Sequence, residues 1–255
     1  MVDSALLFDN NVKIAGTSGS NTLIGDNSKP ETFYIKGDNT GNDTIRNFGR
    51  NDILVVDKIL FDSNGDDIIT FGSNGRLNLD AIDTQLPGQT GDVGDDTVRF
   101  QSSGDLNSNG IRYIGTDGDG HYAYAAASVR LAGFIEGKLG VDALSGTEAA
   151  DSFFFDTDLD VAWGNDTISD FGDDDLIVTT SAIFDGNGDG KITFRDGTLD
   201  LNGSDELGND GQQNQNSPFG KISINGGAVT ELEFKGSTVV NGVTYYSYGL
   251  ELISA

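Results

Sequence analysis

The feature that most constrains this chain is an internal duplication. Gly41-Asn-Asp-Thr-Ile45 recurs as Gly164-Asn-Asp-Thr-Ile168, Phe48-Gly49 as Phe171-Gly172, Phe61-Asp62 as Phe184-Asp185, and Ile69-Thr-Phe71 as Ile192-Thr-Phe194. The interval is the same at both ends (164 − 41 = 123 and 194 − 71 = 123), so the block aligns without a gap. Around it, Glu31-Thr-Phe33 corresponds to Asp151-Ser-Phe153. Arg112-Tyr-Ile-Gly115 corresponds to Glu233-Phe-Lys-Gly236, and Tyr122-Ala-Tyr124 to Tyr245-Tyr-Ser-Tyr248. The 255 residues therefore divide into an N-terminal segment, 1–11, and two homologous units, 12–134 and 135–255, each of ordinary domain size. Any fold assigned to one unit must suit both.

Within each unit the grammar is β. Phe33-Tyr-Ile35, Ile53-Leu-Val-Val56, Ile68-Ile-Thr-Phe71, Thr97-Val-Arg-Phe100, Ile111-Arg-Tyr-Ile114 and Tyr122–Leu131 are short, rich in branched and aromatic residues, and bounded by Gly/Asp/Asn turns. Thr230-Glu-Leu-Glu-Phe-Lys235 alternates polar and apolar residues, as a half-buried strand does. Asn241-Gly242 signals a hairpin turn with Thr244–Tyr248 as the returning strand. Brief helices are expected only near Val56–Leu60 and Thr179–Ile183. Residues 202–218 form a polar loop without apolar periodicity, and 84–96 is its shorter counterpart. The expected fold is all-β: two tandem homologous β-sandwich or β-roll-like units with Asp/Asn/Gly-rich loops and few short helices.

Charge narrows the function. With 41 acidic against 15 basic residues the net charge is −26, the wrong sign for neutralising phosphates, so nucleic acid is not a partner. Such an excess repels itself in the compact state and implies bound cations, a high-salt environment or partial disorder. The 36% hydrophobic residues with 15 Phe supply a core, which makes cations the economical reading. There are no cysteines, so disulfides cannot staple a loop-rich fold, and metal is the usual substitute. No run approaches the roughly 18 apolar residues of a membrane-spanning helix. The start, Met1-Val-Asp-Ser-Ala-Leu-Leu-Phe-Asp9, lacks the basic n-region and long apolar core of a secretory signal peptide.

The metal candidates lie in the duplicated block. In Asp185-Gly-Asn187-Gly-Asp189-Gly190-Lys191-Ile-Thr193-Phe-Arg-Asp196, oxygen-bearing side chains alternate, a glycine permits a sharp turn, and a carboxylate closes the twelve-residue span. A hard cation such as Ca²⁺ takes six to eight oxygens, and this spacing supplies them. The same residue types are also ordinary turn-formers between strands. The stretch resembles the calcium loop of EF-hands and dockerins. That resemblance implies Asp185, Asn187, Asp189, the Lys191 carbonyl, Thr193 through a water, and Asp196 as ligands. It departs from the pattern in closing on Asp rather than Glu, and in leading into a strand rather than a helix. The first unit's copy, Asp62-Ser-Asn64-Gly-Asp66-Asp67-Ile68, keeps positions 1, 3 and 5 and would offer the Ile68 carbonyl. It places Asp67 at the glycine position and Ser73 at the closing one, so weaker binding is expected there.

Two further patterns point to a second resemblance. Gly16, Gly19, Asn21 and Leu23 fall on the nonapeptide of calcium β-rolls, with Thr17 at the second glycine and Asn for Asp. One degenerate copy is not expected to build a roll by itself. Asp151, Phe153, Phe155, Gly164, Asp166–Ile168, Phe171, Asp175 and Ile177 follow the order Asp-x-Phe-x-Phe, Gly-x-Asp-Thr-Ile-x-x-Phe, acidic run, Ile. The first unit repeats that order through Phe33, Gly41, Asp43–Ile45, Phe48, Asp52 and Leu54. About half of each unit resembles the C-terminal region that follows the β-roll in serralysin-type proteases and other RTX proteins. The resemblance implies Asp43 and Asp166 as calcium residues, with Asp117 and Asp119 at the family's Asp-Gly-Asp-Gly turn. It further implies type I secretion on an uncleaved C-terminal signal and calcium-dependent folding outside the cell. No tandem nonapeptides and no protease or lipase motif accompany it.

No catalytic constellation stands out. The single histidine, His121, has no positioned nucleophile suggested beside it, and the chain lacks His-Glu-x-x-His, thiols and phosphate loops. The function expected is therefore that of a non-enzymatic, secreted, calcium-binding structural protein, extracellular or on the cell surface. It would self-assemble as a surface layer, matrix or filament. An adhesin or lectin-like module stacking polysaccharide on Trp163 and Tyr245, Tyr246 and Tyr248 is the alternative, and a secreted hydrolase comes third.

Overall fold

A computed structural model describes residues 12–35, 41–71, 75–79, 96–101, 110–116, 120–159, 161–194, 197–201 and 220–251. The chain divides into two compact units, Met1–Val129 and Arg130–Ala255. The division falls five residues before the position expected from sequence (134 − 129 = 5), because the second unit uses the connecting residues. Phe134 packs on Phe154 and Tyr245, with ring centroids 5.3 and 6.1 Å apart, and Arg130 pairs with Glu136 at 3.6 Å.

The first unit contains β1 (Val12–Ala15), β2 (Thr22–Ile24), β3 (Glu31–Ile35), β4 (Asn42–Arg46) and β5 (Ile53–Val56). These are followed by β6 (Ile68–Thr70), β7 (Arg76–Asn78), β8 (Thr97–Gln101), β9 (Gly110–Thr116) and β10 (Tyr122–Ala126). The second unit repeats the series as β11 (Ile135–Glu136), β12 (Ala143–Ser145), β13 (Ser152–Phe155), β14 (Asn165–Ser169) and β15 (Leu176–Thr179). Then come β16 (Lys191–Thr193), β17 (Thr198–Asp200), β18 (Lys221–Ile224), β19 (Glu231–Val240) and β20 (Val243–Gly249). Strand orders are β1-β3-β5-β10-β9-β6 and β2-β4-β8-β7 in the first unit, and β11-β13-β15-β20-β19-β16 and β12-β14-β18-β17 in the second. Each strand has its counterpart ten places on, so the duplication extends to topology.

The first five strands of each unit alternate between the two sheets, and every same-sheet neighbour among them is parallel. That path is a parallel β-roll. The nonapeptide at Gly16–Leu23, expected to be insufficient alone, is one turn of a roll whose other turns have different sequences. An antiparallel hairpin, β9–β10 or β19–β20, then extends one sheet. Every residue of β3 and β5 is buried, as in strands covered on both faces, whereas β4 and β14 bury alternate residues. The inward positions of β4 are Asp43 and Ile45, and those of β14 are Asp166 and Ile168. A carboxylate thus sits beside an aliphatic side chain on the inner face of each roll.

Phenylalanine fills the first roll, with Phe33, Phe48, Phe100 and Phe71 in a chain of ring contacts 5.6, 5.1 and 4.7 Å apart. In the second roll Phe153 meets Phe171, and Phe155 meets Trp163 edge-on. The hairpin turn predicted at Asn241-Gly242 is present, and φ of +51° and +80° give it the type I′ geometry that suits twisted strands.

The two helices expected are absent. Described helical turns are three-residue 3₁₀ segments at Ala127–Val129, Thr157–Leu159 and Asn225–Gly227. A five-residue run cannot offset the cost of nucleating a helix, and here its amides are used elsewhere. The Leu60 amide donates to the Tyr124 hydroxyl and the Ile183 amide to the Tyr248 hydroxyl, both at 2.8 Å.

Coil-on-coil stacking in the second roll leaves no room for a side chain at Gly164, where φ is +108° and an added Cβ would strike the Gly140 carbonyl. Gly164→Ala is expected to lower stability by roughly 3 kcal/mol or more in thermal unfolding. Gly188→Ala, also at positive φ (+71°) but facing open space, should lose only about 1 kcal/mol.

Candidate metal centre

The two Asp-rich loops close in the same way. In the second unit Asp185 Oδ1 accepts from the Gly188 amide and Oδ2 from the Gly190 amide, both at 2.8 Å, and Asp189 Oδ1 accepts from the Lys191 amide at 2.8 Å. In the first, Asp62 Oδ1 accepts from the Gly65 amide at 3.0 Å, its Oδ2 from the Asp67 amide at 2.7 Å, and Asp66 Oδ1 from the Ile68 amide at 2.8 Å. The middle asparagine reaches the third ligand position in both, Asn187 to Asp189 at 3.0 Å and Asn64 to Asp66 at 2.9 Å. Position 6 needs a left-handed backbone: Gly190 has φ +82°, and Asp67 adopts φ +64° in its place. Asp is among the few non-glycine residues that tolerate this conformation. The tyrosine bonds to Leu60 and Ile183 fix the chain two residues before each loop.

The loops bring Asp62, Asn64 and Asp66 together, and likewise Asp185, Asn187 and Asp189. Lys191 and Ile68 begin the following strands, β16 and β6, and Thr193 ends β16. The Lys191 ammonium turns away to Glu231 (3.1 Å) and Glu251 (2.8 Å), which leaves only its carbonyl for a cation. Asp196, Asp117 and Asp119 lie outside the described residues, as do Ser73, residues 1–11 and the loop 202–218. Among the described residues no three acidic or histidine side chains converge closely enough to enclose a metal by themselves. Each loop holds two carboxylates and one side-chain amide.

A second arrangement stitches coil to coil at the roll turns. The Asn21 amide donates to Asp43 Oδ1 at 2.7 Å, and the Asp142 amide to Asp166 Oδ1 at 2.9 Å. On the opposite edges, Asp52 Oδ1 accepts from the Glu31 amide (2.9 Å) and Asp175 Oδ1 from the Asp151 amide (2.7 Å). Asp52 and Asp175 also use their second oxygens, on the Gly49 and Gly172 amides at 2.7 and 2.8 Å. Asp43 and Asp166 do not. They are 1% and 2% exposed, and the Oδ2 atom of each is buried without a hydrogen-bond partner.

An ionised oxygen without a partner in such a place is costly, and the carboxyls respond. Burial pushes Asp166 up to about 7, against the pull of the Asp142 amide and with the Asp142 charge adding to the rise. Burial also raises Asp43, opposed by Asn21 and assisted by Asp96. Asp52 is pushed up to about 6 by burial, with the Gly49 and Glu31 amides opposing.

Asp142 belongs to a roll turn that sequence reasoning missed. Gly137, Gly140, Asp142 and Leu144 repeat Gly16, Gly19, Asn21 and Leu23 at one interval (137 − 16 = 121 and 144 − 23 = 121), with Asp restored in place of Asn. Extending the duplication upstream of residue 31 would have found it.

The aromatic residues considered for sugar stacking are mostly core. Trp163, Tyr245 and Tyr248 are at most 2% exposed, and only Tyr246 is half-buried, beside Phe234. His121 packs edge-on against Tyr34, with its Nε2 3.7 Å from Asp57 Oδ1, an oxygen that also accepts from the Tyr34 hydroxyl at 2.9 Å. No described helix is long and apolar enough to cross a membrane. No protein-family model, curated protein or solved structure matches the chain.

The shifts fix a pH dependence for the metal-free protein. A carboxyl raised in the folded state binds its proton more tightly there than in the unfolded chain, so stability falls as pH rises from about 4 to about 7. The metal-free melting temperature is therefore expected to be lower at about pH 8 than at about pH 5. Asp166→Asn should flatten that fall and raise the melting temperature at about pH 8 by roughly 5 °C. An unchanged pH profile in the variant would show that Asp166 is not the titrating group.

Proposed function

We propose that this chain is a secreted, calcium-binding structural protein that completes its fold on meeting extracellular Ca²⁺ and associates with itself outside the cell. The observation that carries the reading is the half-used carboxylate of Asp43 and Asp166, buried at equivalent places in both rolls with Oδ2 unbonded. Proteins do not ordinarily strand buried oxygens twice in the same way, and a hard cation is the partner such an oxygen suits.

Bound Ca²⁺ supplies the positive charge that lets closely spaced carboxylates share one locality. Asp43 and Asp166 would offer their free oxygens at the roll turns. Asp185, Asn187, Asp189 and the Lys191 carbonyl, and likewise Asp62, Asn64, Asp66 and the Ile68 carbonyl, would hold an ion in the loops. An amide flip in Asn187 or Asn64 would turn its oxygen toward the ion. The donors are all oxygen, as calcium prefers. With a net charge of −26, a chain at low cytosolic calcium is driven apart by its own carboxylates and stays fit for export. At millimolar calcium the binding energy becomes folding energy.

The role proposed is structural rather than catalytic, with export by a type I route and assembly at the cell surface or in the matrix. Burial of Trp163, Tyr245 and Tyr248 leaves the polysaccharide-binding alternative only Tyr246 of its four aromatic residues.

Each site held at tenfold excess over its Kd adds about 1.4 kcal/mol. Calcium at millimolar levels is thus expected to raise the melting temperature by on the order of 10 °C over chelator. Asp185→Ala/Asp189→Ala should lose roughly 5 °C of that gain. Equal melting of the wild type in calcium and in chelator would refute the reading.

A further inference from the structure

The second hairpin carries a strand edge unlike any other among the described residues. β16 covers β19 only at Glu231–Glu233, after which the Phe234 amide donates to the Gly190 carbonyl at 2.8 Å. A bulge follows at Gly236, φ +124°, and the ribbon continues as Ser237↔Tyr246 to Val240↔Val243 before the turn. Among the described residues no strand pairs with this last stretch of β19 on its outer side. β15 in turn reaches β20 only at Tyr246–Tyr248, so the hairpin tip stands beyond the sheet. Ser237, Thr238 and Val239 are exposed, Val239 at 67%.

The composition of this ribbon is as unusual as its position. The fifteen residues Gly236–Leu250 include no charged side chain, the longest such run in a chain of net charge −26. Copies of so acidic a protein repel one another wherever charged surfaces meet, so contact is favoured where charge is missing. The first unit offers an internal comparison. Its β9–β10 hairpin has shorter strands, seven and five residues against ten and seven, and its connecting sequence carries Asp117 and Asp119. Charges at a strand edge are a standard protection against unwanted pairing. The first hairpin has acidic residues in its connecting sequence, whereas the second has Ser-Thr-Val-Val and an Asn-Gly turn.

We propose that the open edge of β19, Ser237–Val240, is where two copies of this chain pair, strand to strand and antiparallel about a twofold axis. This rests on the self-association proposed above and names one surface for it. Backbone groups on each edge satisfy one another, and Val239 from each copy covers the other's ribbon. A four-residue edge buries far less than the roughly 800 Å² per partner of a standard interface. The pairing is therefore weak, with Kd on the order of 100 µM, and salt strengthens it by screening the acidic surfaces.

Sedimentation velocity of the full chain in millimolar calcium, from about 10 to about 500 µM, tests this. The wild type is expected to move from 26.9 kDa toward twice that mass, and further at higher salt. Val239→Glu should stay monomeric across the range while keeping the wild-type melting temperature, and Val239→Thr, which leaves the edge uncharged, should still pair. If the wild type associates and Val239→Glu associates equally, another surface is responsible and this proposal is wrong. A wild type that stays monomeric throughout overturns the self-association reading, and this proposal with it. In that event calcium-dependent melting would still stand or fall separately.

Discussion

The structure depends on carboxylates that accept backbone N–H groups from the coil beside them. In a roll of short parallel strands each turn leaves amides that no strand pairs, and buried amides need acceptors. Asp52 and Asp175 meet that need with both oxygens, one across to the neighbouring coil and one within their own turn. Asp43 and Asp166 hold the opposite edges through a single oxygen. Between them the Phe-rich interiors are clamped at both ends. The same carboxylates that build the rolls therefore create the charge problem that the rolls must solve.

On the calcium reading proposed above, a proton and a cation are alternative partners for Asp166. Near neutral pH the metal-free carboxyl is poised to hold a proton, because burial has pushed it up to about 7. A cation on Oδ2 would displace that proton and restore the charge that best holds the Asp142 amide. On the proposed reading calcium and acidity would be linked through one side chain, in a sense opposite to the more usual acid lability of paired carboxylates. The Asp-rich loops have a different character: their carboxylates are surface groups already bonded to loop amides, so a cation there would tighten an arrangement that is largely preformed.

Much of this was legible in the sequence, and the failures have physical causes. The duplication, the two Asp loops, the Asn241-Gly242 turn and the core burial of alternating tyrosines each depend on a few neighbouring residues. The roll was harder to see because its coils have no fixed length. Register partners lie 19 residues apart between β1 and β3 (31 − 12), 21 between β3 and β5 (53 − 32) and 22 between β2 and β4 (44 − 22). A repeat search at one period finds nothing in such a series. The helices expected before the loops failed for a different reason. Tyr124 and Tyr248, more than sixty residues downstream, capture the amides of Leu60 and Ile183, and local propensity contains no trace of those partners.

On the proposed reading, buried carboxylates in the roll turns exchange protons for calcium. Calorimetric titration of the metal-free chain with Ca²⁺ at about pH 6.5, in two buffers of different ionisation enthalpy, measures binding and proton release together. The account expects saturable binding of more than one ion per chain, with proton release that Asp166→Asn reduces. Binding without proton release would place calcium away from the rolls, and no binding at millimolar calcium would contradict the account outright.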